Sequence, residues 1–461
     1  MTNANKLIAF AAVAASAAIP LAANAATSIT NTIDGVEWRF MLDTVTGSEG
    51  TAMLGINAAT DEQATGRDNY DLHAYSKDVS VNAANIPWKF DYEGVHYTVT
   101  KVAKGAFYNH DKLTGILTIP PDVTEIRSYA FQNCNGLTGL RGGDSVTHWA
   151  KYALSSCTNM IGSYPDLSAV TGNIAERTFG YCPLLTGTLK LGSLVTALDR
   201  YAFENCYFSG AAIIPASVNT IGTSQNNMGA FVNNPNLTAI WVKGKTAAAN
   251  QTYTTVNCGL LAQNNTSLKM VLMGQNTKGA QFSTGNSAML TGDSGVQVFV
   301  PANGYWDGLN GNQGGSNNKV WYYGPAKEFD LVVDDNMMRA TFTPTTVNAL
   351  TNALAWAPSF KTYFDLDPRI SVTNTLDLTD VTITEAMVMD VTFDRLMFSA
   401  KTQDQLNAIL AAFPASTPIS IDPTGLTQNM VIPDTYTNVH VKTVPGVAIK
   451  RTSSGFIILF R

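Results

Sequence analysis

Charge is scarce in this sequence. Asp, Glu, Lys and Arg make up only 14% of its 461 residues, the balance is −6, and no basic run occurs. Without a basic stripe the chain does not read as a nucleic-acid binder. Long apolar runs are also missing beyond the N-terminus. No later stretch reaches the roughly 18 uninterrupted apolar residues of a membrane helix, so a mature chain without a transmembrane span is expected. Cysteines number five and histidines five. None of the histidines His73, His96, His110, His148 and His440 has another at metal-ligand spacing, and no two cysteines sit close enough for a zinc pair. A Gly-x-Ser-x-Gly elbow is absent. Gly244-Lys245-Thr246 resembles the end of a phosphate loop, but Ala239 stands where the first glycine belongs. Asp334-Asp335, and Asp365 with Asp367, read as surface carboxylates before they read as a calcium site. No catalytic residue, metal or cofactor is therefore expected.

What is present begins with export. Lys6 precedes an apolar segment from Leu7 to Leu21, and Ala23-Asn24-Ala25 supplies a small-x-small cleavage pattern. Residues 1–25 read as a signal peptide cut before Ala26, leaving a mature charge of −7.

The middle of the chain repeats. Ala106-Phe107, Ala130-Phe131, Ala153-Leu154, Thr178-Phe179, Ala202-Phe203 and Ala230-Phe231 recur at spacings of 24, 23, 25, 24 and 28. Leu113, Leu137, Met160, Leu185 and Leu237 follow in phase, with Phe208 one place early in its own repeat. A coil this short cannot bury its apolar face alone, and stacking in register turns each recurring side chain into a column of core. Leu117 and Ile119, like Leu189 and Leu191, alternate as short strands do, so adjacent coils are expected to pair these strands as a parallel sheet. Cys134, Cys157, Cys182 and Cys206 fall three residues after the Phe or Leu of their repeats. They read as buried apolar plugs, with oxidation of one neighbouring pair as the alternative. Cys258 stands outside the ladder.

These residues resemble the bacterial BspA-type leucine-rich repeat, roughly Ala-Phe-x-x-Cys-x-x-Leu, a strand, Ile-Pro, then Val-Thr-x-Ile. Residues 99–137 follow it nearly throughout, including Ile119-Pro120 and Val123-Thr124-Glu125-Ile126, and fainter copies extend to Val298-Phe299-Val300-Pro301. The resemblance implies a leucine-rich-repeat solenoid over 95–301, a parallel β-sheet coil. It also implies a secreted or cell-surface scaffold of the adhesion or host-interaction kind, exported to the surface or periplasm.

The flanks complete the expected plan. Residues 26–94 read as an N-terminal β cap, and 302–325 as a Gly/Asn-rich linker with a closing strand. Residues 326–461 read as a separate C-terminal α+β domain of two β-α-β repeats. There Phe342, Thr346, Leu350, Leu354, Ala355 and Pro358 recur as Phe398, Thr402, Leu406, Leu410, Ala411 and Pro414, and Asp367-Pro368 recurs as Asp422-Pro423.

Strand parity then nominates a binding strip on the outward side: Thr118, Thr188, Lys190, Ile213, Trp241 and Lys243, beside Ile116 and Ala211. Trp241 is the leading contact, because exposed aromatics anchor interfaces; the other reading packs it beneath the neighbouring insertion. The expected partner is a protein or a glycan, engaged by a monomer. The alternatives are a structural envelope component, or an enzyme site within 326–461.

Overall fold

The computed structural model describes residues 27–56, 73–222, 229–245, 253–257, 261–280, 289–306, 309, 317–324, 327, 329–334, 337–342, 356, 358–372, 396–411, 413, 415–417, 419–422, 429–441, 448–451 and 457–459. The signal segment 1–25, Cys258 and the helix expected over Thr346 to Ala355 lie outside them. The architecture is mostly β, with few helices.

The N-terminal strands Thr27–Ile33 and Val36–Thr46 pair antiparallel through Asp34-Gly35. Both turn residues have positive φ, 52° and 78°, as the tightest hairpin turn demands. Trp38 and Phe40 alternate onto one face and are buried. Glu49–Leu54 then pairs in parallel with Val95–Val102, which continues into Glu125–Ile126 and His148–Trp149. The N-terminal strands are thereby hydrogen-bonded into the same sheet as Glu125–Ile126 and His148–Trp149.

From there the coils stack through parallel ladders. One joins the Leu-initiated strands Leu113–Ile119 and Leu137–Gly142, and further along Gly210–Ile214, Leu237–Val242, Met270–Met273, Gln297–Pro301 and Lys319–Tyr323. Another joins Gly172–Ile174, Val195–Leu198, Thr220–Ile221, Thr254–Asn257 and Thr277–Ala280. Between them the Ala-Phe corners line up. The Phe107 N–H donates to the Ala130 carbonyl at 2.7 Å, and Phe131 to Ala153 and Phe203 to Ala230 at 2.8 Å each. Phe107, Phe131, Leu154, Phe179, Phe203 and Phe231 are all buried, as are Leu113, Leu137, Leu185 and Leu237. The Phe107 and Phe131 rings stack at 4.8 Å, and Phe203 and Phe231 at 5.2 Å, close to the spacing of neighbouring strands.

Each corner is bent by left-handed residues on both sides of the Phe. Tyr129, Tyr152, Arg177 and Tyr201 precede it at φ 52–61°, and Asn109, Asn133, Asn205 and Asn233 follow it at φ 51–59°. Asn accepts this conformation readily, whereas a tyrosine there is strained by of order 1 kcal/mol. Stacking offsets the strain: Tyr129 lies on Tyr152 at 5.2 Å, and Arg177 lies 4.4 Å from the centre of the Tyr201 ring.

The cysteine column has a polar role as well as a packing one. Cys134, Cys157 and Cys182 donate their thiols to the carbonyls of Phe107, Phe131 and Leu154 at 3.0, 3.1 and 3.1 Å. All four ladder thiols are buried and free. Burial pushes the Cys134 thiol far up from its ordinary range, which suppresses the thiolate that disulfide exchange needs. Later coils substitute carboxamides and a carboxylic acid. Cys206 N–H donates to Asn234 Oδ1 at 3.0 Å, Asn234 N–H to Asn265 Oδ1 at 2.8 Å, and Asn265 N–H to Asp293 Oδ1.

The described residues between 329 and 459 form a six-stranded sheet and a three-stranded one. Phe329–Asp334 and Met337–Phe342 are an antiparallel hairpin; Asp367–Val372, Leu396–Ser399, Ile419–Asp422 and Val439–Val441 follow in parallel. The helix Gln403–Ala411 buries Leu406, Ile409 and Leu410, and Thr402 Oγ1 accepts the Gln405 N–H at 3.2 Å as its cap. Two expectations change here. Asp367 opens its strand while Asp422 closes its own, so these two aspartates are not equivalent in the fold. Nor does this region keep a core to itself. Its apolar residues share one cluster with Trp241, Leu272 and Phe299 of the coils, because those outward side chains form an apolar ladder that water would otherwise wet.

Candidate functional site

The outward face of the Leu-initiated strands divides in two. Toward its C-terminal end, register aligns Ile213, Trp241, Leu272, Phe299 and Trp321 across five strands. The helical segment 358–364 lies over this ladder. Phe364 meets Trp241 at 5.7 Å between ring centres, and Phe360 and Trp356 meet Phe299 at 5.1 and 5.0 Å. Trp241 is only 6% exposed. The expected surface contact is therefore a core residue: parity gave its direction correctly, but the segment that covers it comes from over a hundred residues further on. The insertion expected beside it, around Thr223 to Asn227, lies outside the described residues.

Toward the N-terminal end the same face is open. Thr118, Thr188, Lys190 and Lys243 are exposed, and so are Ile116, Ile161 and Ile213. Lys243 extends past the buried indole, with its ammonium 4.9 Å from the Trp241 ring centre. Two adjoining grooves run here. The first encloses about 550 Å³ among Arg141, Asp144, Ser163, Asp166, Thr188 and Lys190. The second, about 490 Å³, lies between Ser168, Thr188, Lys190, Ile213 and Lys243. Thr188 and Lys190 belong to both, so the grooves form one trough across five coils. Gly142 floors it at φ +72°, where a Cβ would stand 2.2 Å from the Ile119 carbonyl oxygen.

The carboxylates of the trough are committed internally. Asp144 Oδ1 accepts the Asp166 N–H at 2.8 Å. Asp166 accepts the hydroxyl and the N–H of Ser168 and holds the Lys190 ammonium at 3.4 Å. The Ser168 hydroxyl foremost keeps the Asp166 carboxyl below its usual range. Arg141, Ser163 and Thr188 have no side-chain partner among the described residues.

Arg141 was not among the residues that strand parity nominated. A bulge between Gly115 and Ile116 shifts the pairing by one, so Thr118 faces Arg141 across the ladder although the two sit at different offsets from Leu113 and Leu137. The cysteine, phenylalanine and leucine positions of the repeat lie on the opposite, inner side, in the core, and line neither of these two grooves. No group of three or more metal-ligating side chains occurs among the described residues, and no helix among them is long and apolar enough to cross a membrane.

The family model described as a BspA type leucine rich repeat region matches residues 94–209 and 163–259, in six copies. No curated protein matches. Among solved structures, a leucine rich cell surface protein from Faecalibacterium prausnitzii A2-165 is similar at 16% identity, over 66% of this chain and 97% of its own, with a TM-score of 0.30. A leucine-rich repeat protein from Bacteroides ovatus ATCC 8483 is similar at 12% identity, over 89% of each chain, with a TM-score of 0.26. The pneumococcal vaccine antigen PcpA is similar at 12% identity, over 91% of this chain and 100% of its own, with a TM-score of 0.31. Superpositions this loose carry no argument about function.

Proposed function

This chain carries a BspA-type leucine-rich-repeat region, and from that premise we propose that it is an exported, non-catalytic scaffold at the cell surface that binds a protein or glycan on its open strand face. In this reading residues 26–94 cap a solenoid over 95–301, 302–325 close it, and 326–461 form an α+β unit seated on its last strands. The observation that carries the reading is the division of the strand face. One half is apolar and already covered by the chain itself; the other presents exposed side chains along a continuous trough on a rigid backbone. A preformed face binds without the cost of ordering loops. The N-terminal apolar segment ending in Ala23-Asn24-Ala25 supports export. The burial of the free ladder thiols is compatible with an oxidising compartment.

The test has two arms. Surface-shaving proteolysis of intact expressing cells should release peptides of this protein, and N-terminal sequencing of the mature chain should begin at Ala26. The purified full chain, screened on protein and glycan arrays, should bind through the trough. Thr188→Trp, at one of the two residues common to both grooves, should weaken that binding about tenfold, while Val431→Trp, elsewhere on the surface, should not. Retention in the cytosol, or binding indifferent to Thr188→Trp, would overturn the proposal.

A further inference from the structure

We propose that the trough accommodates a linear acidic polysaccharide, one with carboxylates spaced along its chain, lying across the coils from Arg141 to Lys243. The inference rests on the binding reading above and names the ligand class. Three observations carry it.

The cations are periodic. Arg141, Lys190 and Lys243 follow Leu137, Leu185 and Leu237, so one cation projects from every second coil. Parallel neighbours sit about 4.8 Å apart, and the offset from the leucine grows from four to six residues, so successive cations step obliquely and lie at least about 10 Å apart, a disaccharide or more. Spaced positive charges fit spaced carboxylates. The interleaved Asp144 and Asp166 would repel a dense polyanion such as nucleic acid or a heavily sulfated chain.

The remaining groups suit sugar hydroxyls. Ser163 and Thr188 line the trough with hydroxyls that no other described residue engages, and Arg141 can present a bidentate fork to a carboxylate. Lys190 is steadied by Asp166 while its side chain stays 63% exposed, so its ammonium is held in place rather than hidden.

The face is also short of the aromatic anchors on which tight protein interfaces centre: the half-buried Tyr164 is the one aromatic lining these two grooves. The aromatics of this strand face, Trp241 and Phe299, are occupied by Phe364, Phe360 and Trp356. The backbone N–H and C=O groups of the trough strands are spent on neighbouring coils, as between Leu113–Ile119 and Leu137–Gly142, so an extended peptide cannot add to the sheet there.

Affinity electrophoresis of the full chain through gels containing hyaluronate, which carries one carboxylate per disaccharide, its methyl ester or dextran sulfate tests this. The acid form should retard the protein more than the ester or the sulfate, and the retardation should vanish near 1 M salt, where the Debye length falls to about 3 Å. Arg141→Glu and Lys190→Glu should each weaken the interaction about fivefold. Lys89→Glu, a cation outside the trough, should leave it unchanged, with the melting temperature confirming that every variant folds. Equal retardation by acid and ester, or an Arg141→Glu/Lys190→Glu double variant that still binds the acid, overturns the proposal. If the arrays return a protein ligand sensitive to Thr188→Trp while no polysaccharide binds, the acidic-glycan assignment falls and the scaffold reading stands.

Discussion

Two halves of one sheet face meet different fates. Across the early coils the outward positions carry Ile116, Thr118, Arg141, Ile161 and Lys190, and they are left to solvent; across the late coils the equivalent positions carry Trp241, Leu272 and Phe299, and they are buried. The backbone geometry is the same in both, since the same parallel ladders run through each. What differs is side-chain chemistry. A row of large apolar groups at strand spacing is a continuous patch that costs roughly 25 cal/mol for each Å² left wet. The late coils therefore recruit the helical segment 358–364, and the early coils need no cover.

The sharpest way to break this contrast is at Phe299, which stands in the ladder between Trp356 and Phe360. Phe299→Ala should cost about 3–5 kcal/mol in denaturant unfolding, whereas Ile116→Ala on the open face should stay within about 0.5 kcal/mol. Comparable losses at the two positions would mean that the cover does not bind the face as described.

A pH titration probes the covered end next. Asp293 is buried and one of its carboxyl oxygens lacks a hydrogen-bond partner. Desolvation raises its pKa from 3.8 to about 7, opposed by the Asn265 hydrogen bonds. The folded state thus favours the neutral acid. Its contribution to stability is fully present below pH 3.8 and is lost as pH rises through about 7. The loss is of order 4 kcal/mol, taken as an upper bound. Asp293→Asn should flatten this slope and stabilise the chain above pH 7, because a carboxamide matches its neighbours Asn265 and Asn318. A wild-type profile that is flat over that window counts against the assignment.

A smaller effect separates the two versions of the polar column. Cys157→Ala removes one thiol-to-carbonyl bond and should cost about 1 kcal/mol. Asn234→Ala leaves the buried Cys206 N–H without its acceptor and should cost more, about 1–3 kcal/mol. In the native chain the four ladder thiols should react with a thiol reagent only as fast as the protein opens, and freely once it is denatured.

Much of this could be read from the residue order, and the misses have physical causes. The spacing of Phe107, Phe131, Phe179 and Phe203 betrays a stack because every coil faces the same burial problem and solves it with the same side chain. Trp241 was misjudged because alternation along a strand says which way a side chain points, never what arrives to cover it. Arg141 escaped because one bulged residue shifts the count between neighbouring coils. The cysteine ladder appeared to stop at Cys206, yet Asn234 holds the same place three residues after Phe231. A buried hydrogen-bonding position can change residue type and direction, from a thiol that donates to a carboxamide oxygen that accepts, and a search for identical letters passes over it.

The hand-over from thiol to carboxamide has a consequence for how such a molecule can grow. Along this column the described layers from Cys206 to Asp293 each satisfy a group in the neighbour, so the column itself carries no part specific to rank. Copying one coil within the gene would insert a new storey without altering the joints above or below it, and would lengthen the trough by one step. Reach, in this design, is set by how many storeys were copied, and only the roof and the foundation have to be particular.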